Sequence, residues 1–293
     1  MKYPICFPVY KHRETTILDR LKDLSSLPDK IYCFMYNFDV QNYNLSDYQD
    51  IKNLEIIMVP DEYKTSMKMR MFIQNYMGDK KFWMFDDDVS SIQWVWKEEN
   101  KGHIDKVTLG KAFEYVEKIS DENNLALAGP NLSDMSFYWA KGVDDFTLNG
   151  FPCIACLIDN KQLIEKGVRY TGDINVNEDY EIWVNTKRAG LKCGVALGVK
   201  LKLDEKVNGK GSWVDNERNF KIHLNNYLKF GNDFKLFWNE KTDDICATRP
   251  RGKWAERERV WHNGLVEKCN EYLAEKITKE DFKKYLLDLG KKY

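Results

Sequence analysis

The sequence predicts an α/β fold: a mostly parallel sheet flanked by helices, with a helical C-terminal extension. Short apolar runs rich in β-branched and aromatic residues alternate with segments of helical spacing through the first half of the chain. Those runs lack polar residues at alternate positions, as strands covered on both faces do. Past Asp204 the strand-like runs give way to helical patterning. At 43% hydrophobic and 31% charged residues, a chain of 293 residues can bury a sizeable core, which excludes a disordered tail protein and a disulfide miniprotein.

In order, strands are predicted over Tyr3 to Val9, Lys30 to Tyr36, Leu54 to Val59 and Lys81 to Phe85, all buried on both faces. Between them, Glu14 to Leu24 carries Ile17, Leu18, Leu21 and Leu24 on one helical stripe, and Ser66 to Tyr76 carries Met67, Met71, Phe72 and Asn75. A longer helix over Leu109 to Asn123 repeats Ala112, Phe113, Val116 and Ile119 after Thr108, an N-cap residue type. Strands follow at Leu125 to Ala128 and Phe151 to Ile158, then a short helix at Lys161 to Lys166. A helix at Glu178 to Ala189 ends at Gly190, and a strand runs from Gly194 to Leu201. A helix near Asn216 to Phe230, a Trp- and Arg-containing segment and a helical stretch from Glu267 complete the chain. The expected division is one domain over residues 1–231 and a helical extension over 232–293 packing on it.

Lys and Arg total 45 against 46 Asp and Glu, so the net charge of −1 excludes a globally basic polyanion binder and leaves any nucleic-acid contact to a local patch. No apolar run is long enough to span a bilayer, and the amino terminus lacks a basic-then-apolar signal, so a cytoplasmic protein without a membrane partner is expected. Seven scattered cysteines read as buried thiols of a reducing compartment. Cys153 and Cys156 form the one CxxC; on a strand their side chains point to opposite faces, against a shared zinc.

The most specific local signal is Phe82-Trp83-Met84-Phe85-Asp86-Asp87-Asp88-Val89, an apolar strand that ends in three carboxylates. Ligands of open α/β sheets bind outside the carboxyl ends of strands. Three adjacent negative charges repel one another, and a divalent ion with a substrate pyrophosphate would compensate them; a plain acidic turn is the competing meaning. A second acidic site, Glu178-Asp179, opens a helix, where negative side chains also serve as caps. An aspartate held there can act as general base toward a hydroxyl.

These residues resemble the GT-A fold (Rossmann-like) of nucleotide-sugar glycosyltransferases, with Asp86-Asp87-Asp88 as its DxD motif, Lys68-x-Arg70 before it and Asn177-Glu178-Asp179 as its xED motif. More narrowly, the order TSMKMRMFIQNYMGDKKFWMFDDDVSSI, NGFPCIACLIDNKQLIEKGVRYTGDINVNEDYEIWVNTKRAGLKC and GKGSWVDNERN is similar to the TET-associated glycosyltransferases of bacteriophages, over about Lys2 to Gly231. That resemblance implies a metal-dependent transferase that moves a sugar from a nucleotide-diphosphate sugar to a hydroxymethylated pyrimidine, hydroxymethylcytosine first, in phage DNA.

Carried over to this chain, the resemblance makes Asp88 a ligand of Mn²⁺ or Mg²⁺ with Asp86 beside it, and His223 a third ligand. Asp86 and Asp87 lie at the donor, Pro8, Tyr10 and Arg13 near its base and ribose, and Arg70 and Lys210 at its phosphates. Asp179 becomes the base, with Glu178 beside it, if the reaction inverts the anomeric centre; if it retains, Asp179 orients a substrate. His223 also reads as a half-buried helix histidine, and Gly209-Lys210-Gly211-Ser212 as a plain turn.

The segment Thr248 to Trp261 holds five basic and two acidic residues. Arg249, Arg251, Lys253 and Trp254 could hold phosphates and stack a base of a DNA acceptor; a charged helix packing Trp254 and Trp261 inward fits the spacing as well. A glycan, lipid or protein acceptor, a nucleotidyltransferase and a non-catalytic DNA-binding protein stay open as alternatives. A monomer or weak dimer is expected.

Overall fold

The computed structural model describes residues 1–9, 30–86, 89–98, 101–106, 109–131, 146–148, 150–171, 178–203, 216–240, 243–248 and 254–291. The chain forms two compact units, Met1–Asn208 and Gly209–Tyr293. The division falls before the helix over 216–230, which the sequence boundary at 231 had joined to the first domain. The expected helix over Glu14 to Leu24 and the Thr108 cap lie outside the described residues.

The first unit runs β1 (Ile5–Val9), β2 (Ile31–Tyr36), β3 (Leu54–Val59), α1 (Ser66–Met77), β4 (Lys81–Phe85), β5 (Val89–Glu98), β6 (Lys101–Lys106), α2 (Leu109–Glu122), β7 (Leu127–Asn131), β8 (Phe146–Leu148), β9 (Ala155–Asp159), α3 (Asn160–Glu165), α4 (Glu178–Arg188) and β10 (Cys193–Leu203). Its strands form one sheet in the order β3-β2-β1-β4-β9-β7-β10-β5-β6, with β8 pairing β10. β5, β8 and β9 run against the other seven strands, so the sheet is mixed and mostly parallel.

β2 is buried along its whole length, as a strand covered on both faces must be. Ile31, Cys33 and Met35 pack with Phe7, Trp83 and Phe85 against Phe113 and Val116 of α2, where the Trp83 and Phe113 rings stand 4.5 Å apart. Tyr32 and Phe34, on the opposite face by strand alternation, meet Tyr76 and Phe72 of α1. Each such large side chain contributes about 1.5–3 kcal/mol by leaving water. The four residues expected on the inner stripe of α2 are all buried.

Three expectations need correction. β3 is half-exposed, with Met58 at 38%, because it ends the sheet among the described strands. The buried stripe of α1 is Met67, Met69, Arg70, Ile73, Gln74 and Met77, at helical spacing but rotated from the expected one: Met71 and Phe72 are half-buried and Asn75 is exposed. A search for apolar residues misses that stripe because two of its members are polar. Finally, Cys153 precedes β9 instead of lying on it; six cysteines, Cys153 and Cys156 included, are buried free thiols.

The carboxyl ends of β1 to β4 share one edge of the sheet, where Pro8, Val9 and Asp86 lie. β9 is antiparallel to β4 with Phe85 opposite Ala155, so its first residues meet Asp86 at that edge. Gly129 on β7 lets this segment close in, since a Cβ there would stand 2.7 Å from the Ala155 carbonyl oxygen. α4 starts nearby with Glu178, Asp179 and Glu181 in its first turn, favoured by the helix dipole. It stops at Gly190, whose φ of 75° allows the paired bonds Gly190 N to Lys187 O and Leu191 N to Thr186 O.

The second unit holds α5 (Asn216–Phe230), β11 (Lys235–Asn239), β12 (Asp244–Thr248), α6 (Trp254–Leu273) and α7 (Lys279–Lys291). The expected helical extension therefore also contains an antiparallel β11–β12 hairpin, with Lys235 opposite Thr248. Phe220 centres its core, with Tyr272 at 4.7 Å and Phe282 at 5.7 Å between ring centroids. Thr278 divides α6 from α7: its hydroxyl accepts from Asp281 N while the Asp281 carboxylate accepts from Thr278 N, a reciprocal cap.

Candidate active site

Arg70 stands at the centre of the site, 5% exposed on the buried stripe of α1. Its Nη2 donates to Asp86 Oδ1 at 2.6 Å, its Nε donates to Glu178 Oε1 at 3.2 Å, and its Nη1 lies 3.3 Å from Asp179 Oδ1. One guanidinium thus engages the acidic residue that ends β4 and both residues that open α4. The two acidic motifs that the sequence holds some 90 residues apart meet here. Burial works against the Arg70 charge, but Asp179, Asp86 and Glu178 outweigh it and hold its pKa well above the ordinary value.

Ile154 joins the same residues through the backbone. Its carbonyl accepts from Asp86 N at 2.7 Å and its N–H donates to Asp179 Oδ2 at 3.1 Å. A bond from Ala155 N to Cys153 O at 2.7 Å closes a γ-turn around Ile154, whose φ is 67°. Positive φ is costly for a β-branched residue, on the order of 1–3 kcal/mol, and such strain gathers at functional sites. Both oxygens of Asp179 therefore face donors, which sets the angle of its carboxylate.

The four groups carry one positive and three negative formal charges. The carboxylate side chains keep 21%, 17% and 18% of their surface at Asp86, Glu178 and Asp179, against 6% for Arg70, so the cluster is open to solvent through its anions. Tyr170 lies beside Arg70, its hydroxyl pKa pushed up by burial. Glu181, fully buried one turn into α4, accepts from the Thr171 hydroxyl at 2.9 Å.

The Arg70 fork, expected at the donor phosphates, is turned on carboxylates of the protein. Pro8 sits near the end of β1, and Tyr10, Arg13, Asp87, Asp88, Lys210, Arg249, Arg251 and Lys253 lie outside the described residues. Trp254 begins α6. His223 is buried on α5 in the second unit, and burial lowers its pKa against the opposing charge of Asp244. Among the described residues, no group of three His, Cys, Asp or Glu side chains could hold a metal ion. Of the expected metal ligands Asp86 and His223 are described, Asp86 already against Arg70 and His223 in the second unit; carboxylate oxygens such as those of Asp86 suit Mg²⁺ or Mn²⁺. Sequence reasoning missed Ile154, Tyr170 and Glu181. Only Glu181 had a signal, as an acidic residue in the turn that follows Asp179.

No family model and no curated protein matches the chain. Among solved structures it is similar to S. aureus TarS 1–349 in complex with UDP-GlcNAc, at 10% identity and a TM-score of 0.49, over 76% of this chain and 65% of that one. That is less than two thirds of the TarS chain. The same TarS region without that ligand gives 12% identity and a TM-score of 0.46, over 79% and 73% of the two chains. A mannose-6-phosphate isomerase from Helicobacter pylori follows at 8% identity and a TM-score of 0.31, covering 88% of each chain. Likenesses of this strength carry no weight on function. None of the three names a phage DNA-modifying enzyme. Among the described residues, no helix is long and apolar enough to cross a membrane.

Proposed function

We propose that this chain is a glycosyltransferase that moves a sugar from a nucleotide-diphosphate sugar to a hydroxyl on a hydroxymethylated pyrimidine, with hydroxymethylcytosine in phage DNA as the acceptor. The observation that carries the reading is the convergence of Asp86, Glu178 and Asp179 on Arg70 at the carboxyl edge of the sheet, where ligands of α/β sheets bind. The acceptor class rests on the sequence resemblance and on the basic, Trp-containing segment around Arg249, Arg251, Lys253 and Trp254.

In this reading Asp179 takes the proton from the acceptor hydroxyl as its oxygen attacks the anomeric carbon. The bond to the diphosphate breaks, and the nucleoside diphosphate leaves with the electron pair. Inversion follows from the single displacement. Glu178 stands beside Asp179 at the start of α4, its Oε1 accepting from Arg70. Pro8, Tyr10 and Arg13 are assigned to the donor with Asp86 and Asp87. Asp88 and Asp86 are assigned to Mn²⁺ or Mg²⁺, which would neutralise charge on the leaving diphosphate.

The test is incubation of the purified chain and Mn²⁺ or Mg²⁺ with hydroxymethylcytosine DNA and a panel of nucleotide sugars, followed by mass spectrometry of the digested nucleosides. A hexose or pentose increment on the modified base is expected. Donor hydrolysis without an increment removes the DNA acceptor and keeps the transferase; neither hydrolysis nor donor binding overturns both.

A further inference from the structure

We infer that Arg70 is a positioning residue: it gathers the strand-end Asp86 and the helix-start Glu178 and Asp179 into one anionic cluster, and acts on the reaction through those carboxylates and not through the donor phosphates. The kinetic part of this inference rests on the reading above; the structural part does not.

Three observations carry it. Each of the three guanidinium nitrogens already faces a different carboxylate, at 2.6, 3.2 and 3.3 Å, and the side chain is 6% accessible. Of its five N–H donors three are thus turned on protein carboxylates, so a phosphate would have to share the fork with them. Next, the partners come from two distant parts of the chain, the end of β4 and the start of α4, that have no covalent reason to be close. Mutual repulsion of three anions opposes their meeting unless a cation sits between them. Last, Ile154 ties Asp86 N and Asp179 Oδ2 together on the backbone side, so the guanidinium and the turn hold Asp179 by opposite oxygens. Among the described residues one guanidinium holds three carboxylates drawn from two elements. A lysine cannot substitute, because a point charge lacks the three-way fork.

The test uses the full chain with Arg70→Lys, Arg70→Met and the double variant Arg70→Met/Glu178→Gln. Thermal unfolding needs no substrate. Arg70→Met is expected to melt about 10 °C lower, as loss of one partner from a buried charge cluster requires, and Glu178→Gln in that background is expected to recover part of the loss. An unchanged melting temperature for Arg70→Met, or a double variant that melts lower still, overturns the clamp. The kinetic readout is turnover with UDP-glucose, or with whichever panel donor the wild type uses. Arg70→Lys is expected to lower kcat roughly 100-fold, the scale of a 1 Å misplacement, with donor KM within threefold. Donor KM raised tenfold or more with kcat retained would make Arg70 a phosphate ligand and sink the inference. If the wild type turns over no donor, the transferase reading fails and the melting series alone decides Arg70.

Discussion

Arg70 and Gln74 sit one turn apart on α1, both buried, and they face different chemistry. Gln74 meets neutral groups: its Nε2 donates to Asn160 Oδ1 at 2.9 Å and to Val168 O at 3.3 Å, and its Oε1 accepts from Tyr170 N at 2.9 Å. Asn160 in turn donates to Gln74 O and Gly78 O, bonding carbonyls at the end of α1. Every donor and acceptor of the two amides is used, which is the condition under which a buried polar network stabilises and specifies a fold. Arg70 meets three carboxylates beside the Ile154 turn, whose positive φ is the kind of backbone strain that gathers at functional sites.

The largest effect expected from this contrast is on rate. Asp179→Asn should lower kcat by about 10²–10⁴-fold, the usual worth of a general base, while native-state hydrogen exchange around Gln74 and Asn160 stays as in the wild type. Retention of full turnover would place the base elsewhere. The converse variant, Asn160→Ala, strands a buried amide and two carbonyls. It should cost about 3 kcal/mol in denaturant unfolding with kcat in the surviving folded protein unchanged; loss of kcat at constant stability would merge the two nodes into one.

A smaller effect isolates the Ile154 turn. Glycine normally destabilises relative to alanine, yet at a positive φ the order should reverse, with Ile154→Gly more stable than Ile154→Ala by about 1 kcal/mol. The usual order would deny the strain. The smallest effect concerns a group whose charge burial disfavours. The pKa of His223 is depressed below 6.5 in the folded chain, so the unfolded chain takes up its proton first. The associated stability is present above 6.5 and is lost as pH falls through the folded value. His223→Gln should flatten the fall in melting temperature of the second unit below that pH, measured by thermal unfolding across pH 5 to 8.

β3 and β4 were legible to the residue, and β2 to within one, because continuous apolar runs between polar segments have few other meanings. α2 was legible because its stripe is apolar throughout. The β5–β6 hairpin escaped notice: Val89 to Glu98 mixes polar and apolar residues too loosely for one period to stand out. The β11–β12 hairpin escaped for the same reason. α1 was found but turned wrongly, since Arg70 and Gln74 occupy inner positions that periodicity assigns to apolar side chains.

For the site, sequence alone determined that acidic residues end β4 and open α4, because strand ends and first helical turns are local features written in neighbouring residues. That Asp86, Glu178 and Asp179 meet, that one buried guanidinium holds them, and that Ile154 adopts a positive φ between them were decided by the tertiary structure. The reason is range. A strand or cap depends on side chains a few positions apart, whereas the partners of Arg70 lie 16 and 108 residues away along the chain. Only the packing of α1 and α4 at the carboxyl edge of one sheet brings them within reach of its nitrogens.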